Sequence, residues 1–183
     1  MSRMPLPSRI YLTGFMGSGK STTGLVLARK LDYDFLDLDL QIEKGAKKSV
    51  ATIFEEEGEA VFRAREAELL KETLPRNHLV IATGGGTMLS PESLLRAKSA
   101  GLVVYLRLDA EALAKRLRRV TNRPILRDSN GEILPERAFF ERIKALLSQR
   151  TPFYEQADLI VEVGSLSPES VAEAIECALN ERA

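Results

Sequence analysis

The segment GFMGSGKS at residues 14–21 decides which fold and which class of ligand this sequence predicts. It follows the apolar run RIYL, precedes a helical pattern, and fits the pattern G-x-x-x-x-G-K-[ST] of phosphate-binding loops. Glycine lets consecutive backbone N–H groups turn inward around a phosphate, and the start of a helix adds its positive dipole end. The motif predicts a nucleoside triphosphate as ligand; the alternative is an ordinary glycine-rich turn.

Two side chains at the end of this loop carry the expected chemistry. Lys20 can reach the β- and γ-phosphates as a mobile positive charge, and Ser21 offers a hydroxyl to Mg²⁺. The motif does not identify the acceptor of the phosphoryl group, so the acceptor site has to be sought after the other strands.

Short β-rich runs alternate with helical patterns along the whole chain. This alternation predicts βαβ units and a parallel sheet covered on both faces, with ligands beyond the carboxyl ends of its strands. We expect one three-layered α/β domain over residues 1–183. The predicted strands cover residues 9–14, 35–39, 79–84, 102–108 and 158–164, and the predicted helices cover 19–31, 49–58, 59–74, 91–100, 109–119, 135–150 and a last one from Ser167-Pro168.

The composition of the chain is ordinary for a globular protein, with 44% hydrophobic and 28% charged residues. Lysine plus arginine equals aspartate plus glutamate at 26 each, so no overall charge favours nucleic acid or an anionic membrane. No run approaches the roughly 20 apolar residues of a membrane span, and MSRMPLPSR at the N-terminus lacks the apolar region of a secretory signal. The single cysteine, Cys177, excludes an internal disulfide. We expect a cytoplasmic monomer with Cys177 at least half-buried in the last helix.

Two aspartates close the second predicted strand, FLDLD. Alternate side chains of a strand face the same way, so Asp37 and Asp39 are expected to project together beside the phosphate-binding loop. Two carboxylates there suit water-mediated Mg²⁺ binding and contact with an acceptor hydroxyl. The alternative is a polar strand end at which Asp39 caps the next helix.

Three further groups are candidates for an anionic acceptor. Arg63 and Glu66 share one helix face, which indicates an arginine held for an anion; the alternative is a solvated ion pair. Gly84, Gly85 and Gly86 follow the third strand and leave backbone N–H groups bare, unless they form only a tight turn. Arg150 extends an apolar helical stripe towards a cleft, unless it simply snorkels to solvent.

The segment TNRPILRDSNGEILP at residues 121–135 has prolines, Ser-Asn-Gly and little periodicity. A loop of about 15 residues is long for a compact domain and is typical of a lid over a site.

Taken together, these motifs resemble the shikimate kinase family over nearly the whole chain. The matching stretches are GFMGSGKST, DLD, GEAVFRARE, GGG, NRP and RTPFY. The resemblance implies a nucleoside-monophosphate-kinase-like P-loop fold with strand order 2-3-1-4-5, substrate-binding helices at about residues 40–74, and transfer of the ATP γ-phosphoryl group to the 3-hydroxyl of shikimate.

The resemblance also implies roles for individual residues. Asp39 binds the shikimate hydroxyls and is the candidate base, Arg63 and Arg150 clamp the carboxylate, and Phe54 and Phe62 form an apolar wall. The residues implied for the remaining acceptor contacts are Gly84, Gly85 and Gly86; those for ATP are Gly17, Ser18, Gly19, Lys20, Ser21, Thr22, Arg116, Arg123 of the lid and Pro168; those for Mg²⁺ are Ser21 and Asp37.

Two rival functions share the phosphate-binding loop. One is another small-molecule kinase of the same fold, for gluconate or a nucleotide, since gluconate also carries a carboxylate and hydroxyls. The other is a non-catalytic ATP-binding module. GEAVFR and GGG favour shikimate, and the presence of Lys20, Asp39, Arg63 and Arg150 disfavours a module that has lost catalysis.

Overall fold

The structure is a computed structural model that describes residues 6–119, 124–128 and 131–182. Five strands form one sheet in the order β2-β3-β1-β4-β5, and every neighbouring pair is parallel, which confirms the expected topology. The strands are β1 (Arg9–Thr13), β2 (Asp34–Asp37), β3 (Leu79–Ala82), β4 (Leu102–Arg107) and β5 (Leu159–Glu162).

Helices cover both faces of the sheet because alternate strand residues enter different apolar clusters. Ile10 and Leu12 pack in one cluster, whereas Tyr11 packs in another on the opposite face, as the period of two requires. The helices are α1 (Lys20–Leu31), α2 (Leu38–Ala46), α3 (Val50–Glu56), α4 (Glu59–Thr73), α5 (Pro91–Ala100), α6 (Ala110–Leu117), α7 (Glu136–Tyr154) and α8 (Pro168–Arg182).

The second strand is shorter than predicted, and this corrects the expected placement of two aspartates. β2 ends at Asp37, whose extended backbone and side chain cap α2: its Oδ1 accepts a hydrogen bond from the Leu40 N–H at 3.1 Å. Asp39 therefore lies in the first turn of α2 rather than on the strand. The alternation argument was wrong here because an N-cap aspartate starts the helix two residues early.

Two other expectations also need correction. α7 continues beyond residue 150 to Tyr154 with Pro152 inside it, so RTPFY is helical. Cys177 is exposed on α8 rather than half-buried.

The described part of the expected lid is more ordered than its sequence suggested. Pro124–Leu126 form a short 3-10 helix, and Arg127 pairs with Ile133 in an antiparallel bridge. Leu126 is buried in the main core, so this segment is anchored by an apolar side chain.

Among the described helices, none is long and apolar enough to cross a membrane.

Candidate active site

A cavity of about 920 Å³ lies beyond the carboxyl ends of the central strands, where the parallel sheet predicted a ligand. The phosphate-binding loop, the first residues after β2, and residues of α3, α4, α6 and α7 contribute to its walls. It brings together most of the residues expected to act: Gly17, Gly19, Lys20, Ser21, Thr22, Asp37, Asp39, Arg63, Gly85, Gly86, Arg116 and Arg150.

The phosphate-binding loop needs its glycines for backbone conformation. Gly14, Gly17 and Gly19 have φ angles of 140°, 79° and 98°, which side chains rarely tolerate. Gly19 ends the loop as the N-cap of α1, so the positive end of the helix, at Lys20, Ser21 and Thr22, lines the cavity. Lys20 folds back over the loop, and its Nζ donates to the carbonyl oxygens of Gly14 at 2.9 Å and Phe15 at 3.0 Å.

Ser21 and Asp37 meet at the start of α1 and the end of β2. The Ser21 hydroxyl donates to Asp37 Oδ2 at 2.5 Å, and both residues line the cavity. One hydroxyl and one carboxylate fit a Mg²⁺ ion that keeps several waters and is otherwise held by phosphates. A cluster of three or more acidic, histidine or cysteine ligands does not occur among the described residues, so a cage made only of protein groups is not formed there.

Glu66 is buried, which excludes the solvated ion pair considered from sequence. Only 1% of its surface is exposed; it pairs with Arg63 Nη1, and the Thr87 hydroxyl donates to its Oε1 at 2.6 Å. Burial raises the pKa of Glu66 above its ordinary value, although the Arg63 guanidinium opposes the shift. Because Glu59 Oε1 also accepts from Arg63 Nε and Nη2, at 3.2 and 3.0 Å, the guanidinium is held from two sides.

In the Gly84-Gly85-Gly86 loop, the first and third residues are glycine because a side chain would not fit there. None of the three has a positive φ, yet a Cβ on Gly84 would lie 2.7 Å from Asp39 Oδ1, and one on Gly86 would lie 2.5 Å from Arg63 Cζ. Side chains of α2 and α4 therefore pack directly on this backbone. The groups that approach this loop in the structure are the protein's own charged side chains, and its contact with a ligand stays a prediction.

Arg150, on α7, lines the cavity close to the phosphate-binding loop. Its guanidinium lies over the Phe15 ring, with Cζ 5.4 Å from the ring centroid, so the phosphate-binding loop supports this arginine. Simple snorkelling into solvent does not describe it, because Arg150 lines the cavity beside Gly85.

Arg116 marks the other end of the cavity. Its two Nη atoms donate to the carbonyl oxygens of Gly17 at 3.4 Å and Gly164 at 3.2 Å. The loop before α8 is thus close, but Pro168 itself does not line the cavity, and neither do Ser18 and Gly84. The expected lid residue Arg123 lies outside the described residues.

Sequence reasoning missed several wall residues. Glu59 stands four positions before Arg63, a spacing that could have revealed the pair on a helix. Thr83 is flanked by β3 and the glycines, and its hydroxyl donates to the Leu12 carbonyl at 2.9 Å. Val50, Ala51 and Ile125 join Phe54 and Phe62 as apolar wall, and only the folded chain brings them together.

The cavity combines four cationic side chains with four carboxylates. The cations are Lys20, Arg63, Arg116 and Arg150, and the carboxylates are Asp37, Asp39, Glu59 and Glu66. Such a site suits a polyphosphate at one end and a small anion with hydroxyl groups at the other. Fold and site together define a P-loop kinase whose phosphoryl acceptor is a small molecule.

Comparison with known proteins narrows this class. A sequence model of the family described as shikimate kinase matches residues 16–180. The chain therefore belongs to the shikimate kinase family.

Individual relatives agree with this assignment. The chain is 46% identical over 156 residues to a shikimate kinase of Chlorobium chlorochromatii, a match that covers 85% of this chain and 82% of the relative. It resembles the solved structure of shikimate kinase from Acinetobacter baumannii in complex with shikimate, with a TM-score of 0.85, 36% identity and coverage of 95% and 93%. A gluconokinase from Sinorhizobium meliloti shares the fold at a TM-score of 0.59, with 17% identity and coverage of 97% and 96%.

Proposed function

We propose that this protein transfers the γ-phosphoryl group of ATP to the 3-hydroxyl of shikimate, which yields ADP and shikimate 3-phosphate. The observation that carries the proposal is the pair of arginines, Arg63 and Arg150, in the same cavity as the phosphate-binding loop. Two guanidinium groups suit a carboxylate, since each can donate paired hydrogen bonds to its oxygens.

ATP would bind with its phosphates on the N–H groups of the loop from Gly14 to Thr22. Lys20 would leave the loop carbonyls for the β- and γ-phosphates, because a phosphate is a stronger partner for an ammonium than a neutral carbonyl. Arg116, beside Gly17 and Gly164, would border the adenine. Of the residues expected at this end, Ser18 would act only through its backbone, and Pro168 through the loop that precedes it.

Ser21 and Asp37 would hold Mg²⁺, with Asp37 acting through water. When bound, the ion neutralises charge on the β- and γ-phosphates. The short contact between the Ser21 hydroxyl and Asp37 places both groups at the start of α1, where the phosphates are expected.

Asp39 would orient the acceptor. It lies in the first turn of α2, lines the cavity and packs against the backbone of Gly84. In the reaction Asp39 accepts the proton of the 3-hydroxyl while that oxygen bonds to the γ-phosphorus and the bond from phosphorus to the ADP oxygen breaks. The transition state is loose, so correct placement and neutralisation of charge contribute more than the base.

Charge on the transferring group would be met by Lys20 and by Arg123 of the lid. Closure of residues 121–135 would exclude water and prevent wasteful hydrolysis of ATP. The substrate-binding helices, the cytoplasmic location and the monomeric state stay predictions from the sequence.

Coupled detection of ADP release tests the proposal. Purified protein is given ATP and Mg²⁺ with shikimate, gluconate or a nucleoside monophosphate in turn. We expect turnover when shikimate is the acceptor and no turnover with gluconate or a nucleoside monophosphate. Turnover with gluconate or a nucleotide would favour the rival kinases, and ATP binding without any turnover would favour the non-catalytic module.

A further inference from the structure

Tyr154 is a buried polar side chain that the proposed reaction does not use. It is the last residue of α7, it has no exposed surface, and its ring packs on Tyr105 with the centroids 5.1 Å apart. Its hydroxyl donates a hydrogen bond to the Gly85 carbonyl oxygen at 2.5 Å. This contact joins residues 69 positions apart and ties the end of α7 to the glycine loop.

Gly85 occupies the boundary between the two ends of the cavity. A Cβ at this position would lie 3.4 Å from the Met16 nitrogen, 3.7 Å from the Gly14 carbonyl oxygen and 3.7 Å from Arg150 Nη1. The small space beside the Gly85 Cα is therefore bordered by the phosphate-binding loop and by the acceptor arginine. Because Gly85 lines the cavity, the orientation of its peptide decides which backbone groups a ligand in the middle of the cavity meets.

The neighbouring peptides of the loop are held locally. The carbonyl oxygens of Gly84 and Gly86 accept from the N–H groups of Thr87 and Leu89, at 3.2 and 3.1 Å, within the following turn. Gly85 differs because its carbonyl oxygen accepts a hydrogen bond from Tyr154, which lies on a helix distant in sequence. Without a side chain of its own, Gly85 depends more than other residues on such a contact for a single orientation.

Arg150 and Tyr154 stand four residues apart on α7 and so share one face of the helix. Burial raises the pKa of Tyr154 to about 12, against the opposing effect of the Arg150 guanidinium. The hydroxyl therefore keeps its proton, and remains a donor, across the whole working pH range.

We propose that Tyr154 is a positioning residue for the acid acceptor. Its hydroxyl fixes the Gly85 peptide, and that peptide and the Arg150 side chain together form one wall of the acceptor end. One turn of helix thus supplies both a direct carboxylate contact and the group that orients the facing backbone. This role rests on the proposed function, because the acceptor is the molecule whose binding it affects.

Replacement of Tyr154 by phenylalanine tests the role, because it keeps the ring on Tyr105 and deletes only the hydroxyl, with its contacts to the Gly85 carbonyl and to Arg150. We expect the KM for shikimate to rise about three- to tenfold, the range that loss of one hydrogen bond supports. The KM for ATP should change less than about twofold, because the phosphate-binding loop is held by its own contacts, including Ser18 N–H to the Phe15 carbonyl at 3.1 Å.

Tyr11→Phe is the matched control. Tyr11 is also fully buried, its hydroxyl meets Thr73 Oγ1 at 3.1 Å, and it packs in the cluster on the other face of the sheet. Loss of its hydroxyl should lower Tm to a similar degree and leave both KM values unchanged. A KM for shikimate that rises in Tyr154→Phe but not in Tyr11→Phe therefore separates positioning from a merely structural effect.

The outcomes are distinct. If Tyr154→Phe and Tyr11→Phe both keep the wild-type KM for shikimate within about 1.5-fold, the positioning role is wrong, whatever their Tm values. Poor folding of Tyr154→Phe does not obscure the result, because KM does not depend on the amount of active enzyme. Failure of the wild-type protein to phosphorylate shikimate would instead overturn the proposed function, and the positioning role with it.

Discussion

Gly86→Ala would place a methyl group where the Arg63 guanidinium lies. The backbone of Gly86, at φ −114° and ψ −9°, is open to alanine, so the substitution introduces no backbone strain. A Cβ built there lies 2.5 Å from Arg63 Cζ, whereas ordinary contacts begin at 3.4 Å. To restore an ordinary contact distance, the guanidinium must move away by about 1 Å.

That displacement sets the expected magnitude. Arg63 is held by buried Glu66 and by Glu59 at 3.0 Å, and a shift of about 1 Å breaks or bends these hydrogen bonds. A hydrogen bond to a charged group contributes about 1.5–3 kcal/mol, and the value belongs at the low end because a third of the Arg63 side chain is exposed. We expect kcat/KM for shikimate to fall roughly 10-fold, the low end of that range.

The assay compares steady-state kinetics for shikimate and for ATP, with Gly45→Ala as control. A Cβ at Gly45, in α2, meets no heavy atom of the described residues within 4 Å, and alanine suits a helix better by about 1 kcal/mol. Gly45→Ala should therefore match or exceed wild-type Tm, and its kinetics should be normal because Gly45 does not line the cavity. Should Gly86→Ala keep kcat/KM for shikimate within about twofold of wild type, the claim that Arg63 must occupy this position fails.

Four other outcomes are expected. Lys20→Ala should abolish measurable turnover in a folded protein, because its charge is needed at the β- and γ-phosphates; near-normal kcat would refute that role. Arg63→Ala and Arg150→Ala should each lower kcat/KM for shikimate about 10- to 150-fold with little change in ATP affinity, and loss of ATP binding with retained shikimate binding would contradict the clamp. Asp39→Asn should lower the single-turnover rate about 10²-fold, the low end for a general base, and a rate within about threefold of wild type would leave Asp39 only a binding role. Burial raises the pKa of Glu66, so the favourable contribution of its carboxyl to folding is complete below the unfolded pKa and is lost as pH rises through the folded pKa. The Tm advantage of wild type over Glu66→Gln should therefore shrink as pH rises above about 4.3, the ordinary pKa of a glutamate in an unfolded chain, and thermal unfolding that shows it growing would count against this assignment.

Local patterns in the chain were enough for the architecture and the nucleotide loop. The motif from Gly14 to Ser21 requires particular backbone angles, and the structure has them at its three glycines. Apolar runs of strand length between helical patterns predicted five parallel strands, since the signals that favour helix or strand lie within a few residues of each other. The order of the strands came only from the family resemblance, because local signals do not determine which strands become neighbours.

Where local signals competed, they misplaced a residue. Asp39 was assigned to a strand because FLDLD alternates, yet Asp37 caps a helix there. Both interpretations use the same five letters, and the hydrogen bond from the Leu40 N–H to the Asp37 side chain decides for the helix.

The acceptor end depends on contacts between distant parts of the chain. Glu66 looks like a surface residue in sequence, but packing against Thr87, 21 positions later, buries its carboxylate. Gly84 and Gly86 look like a flexible turn, but charged side chains of α2 and α4 fill the space where a Cβ would stand. Tyr154 meets Gly85 across 69 residues. Periodicity and capping involve residues a few positions apart, so they can be recognised in the sequence. Contacts between residues 21 or 69 positions apart form only when separate elements pack against each other, and neighbouring residues in the sequence do not specify that packing.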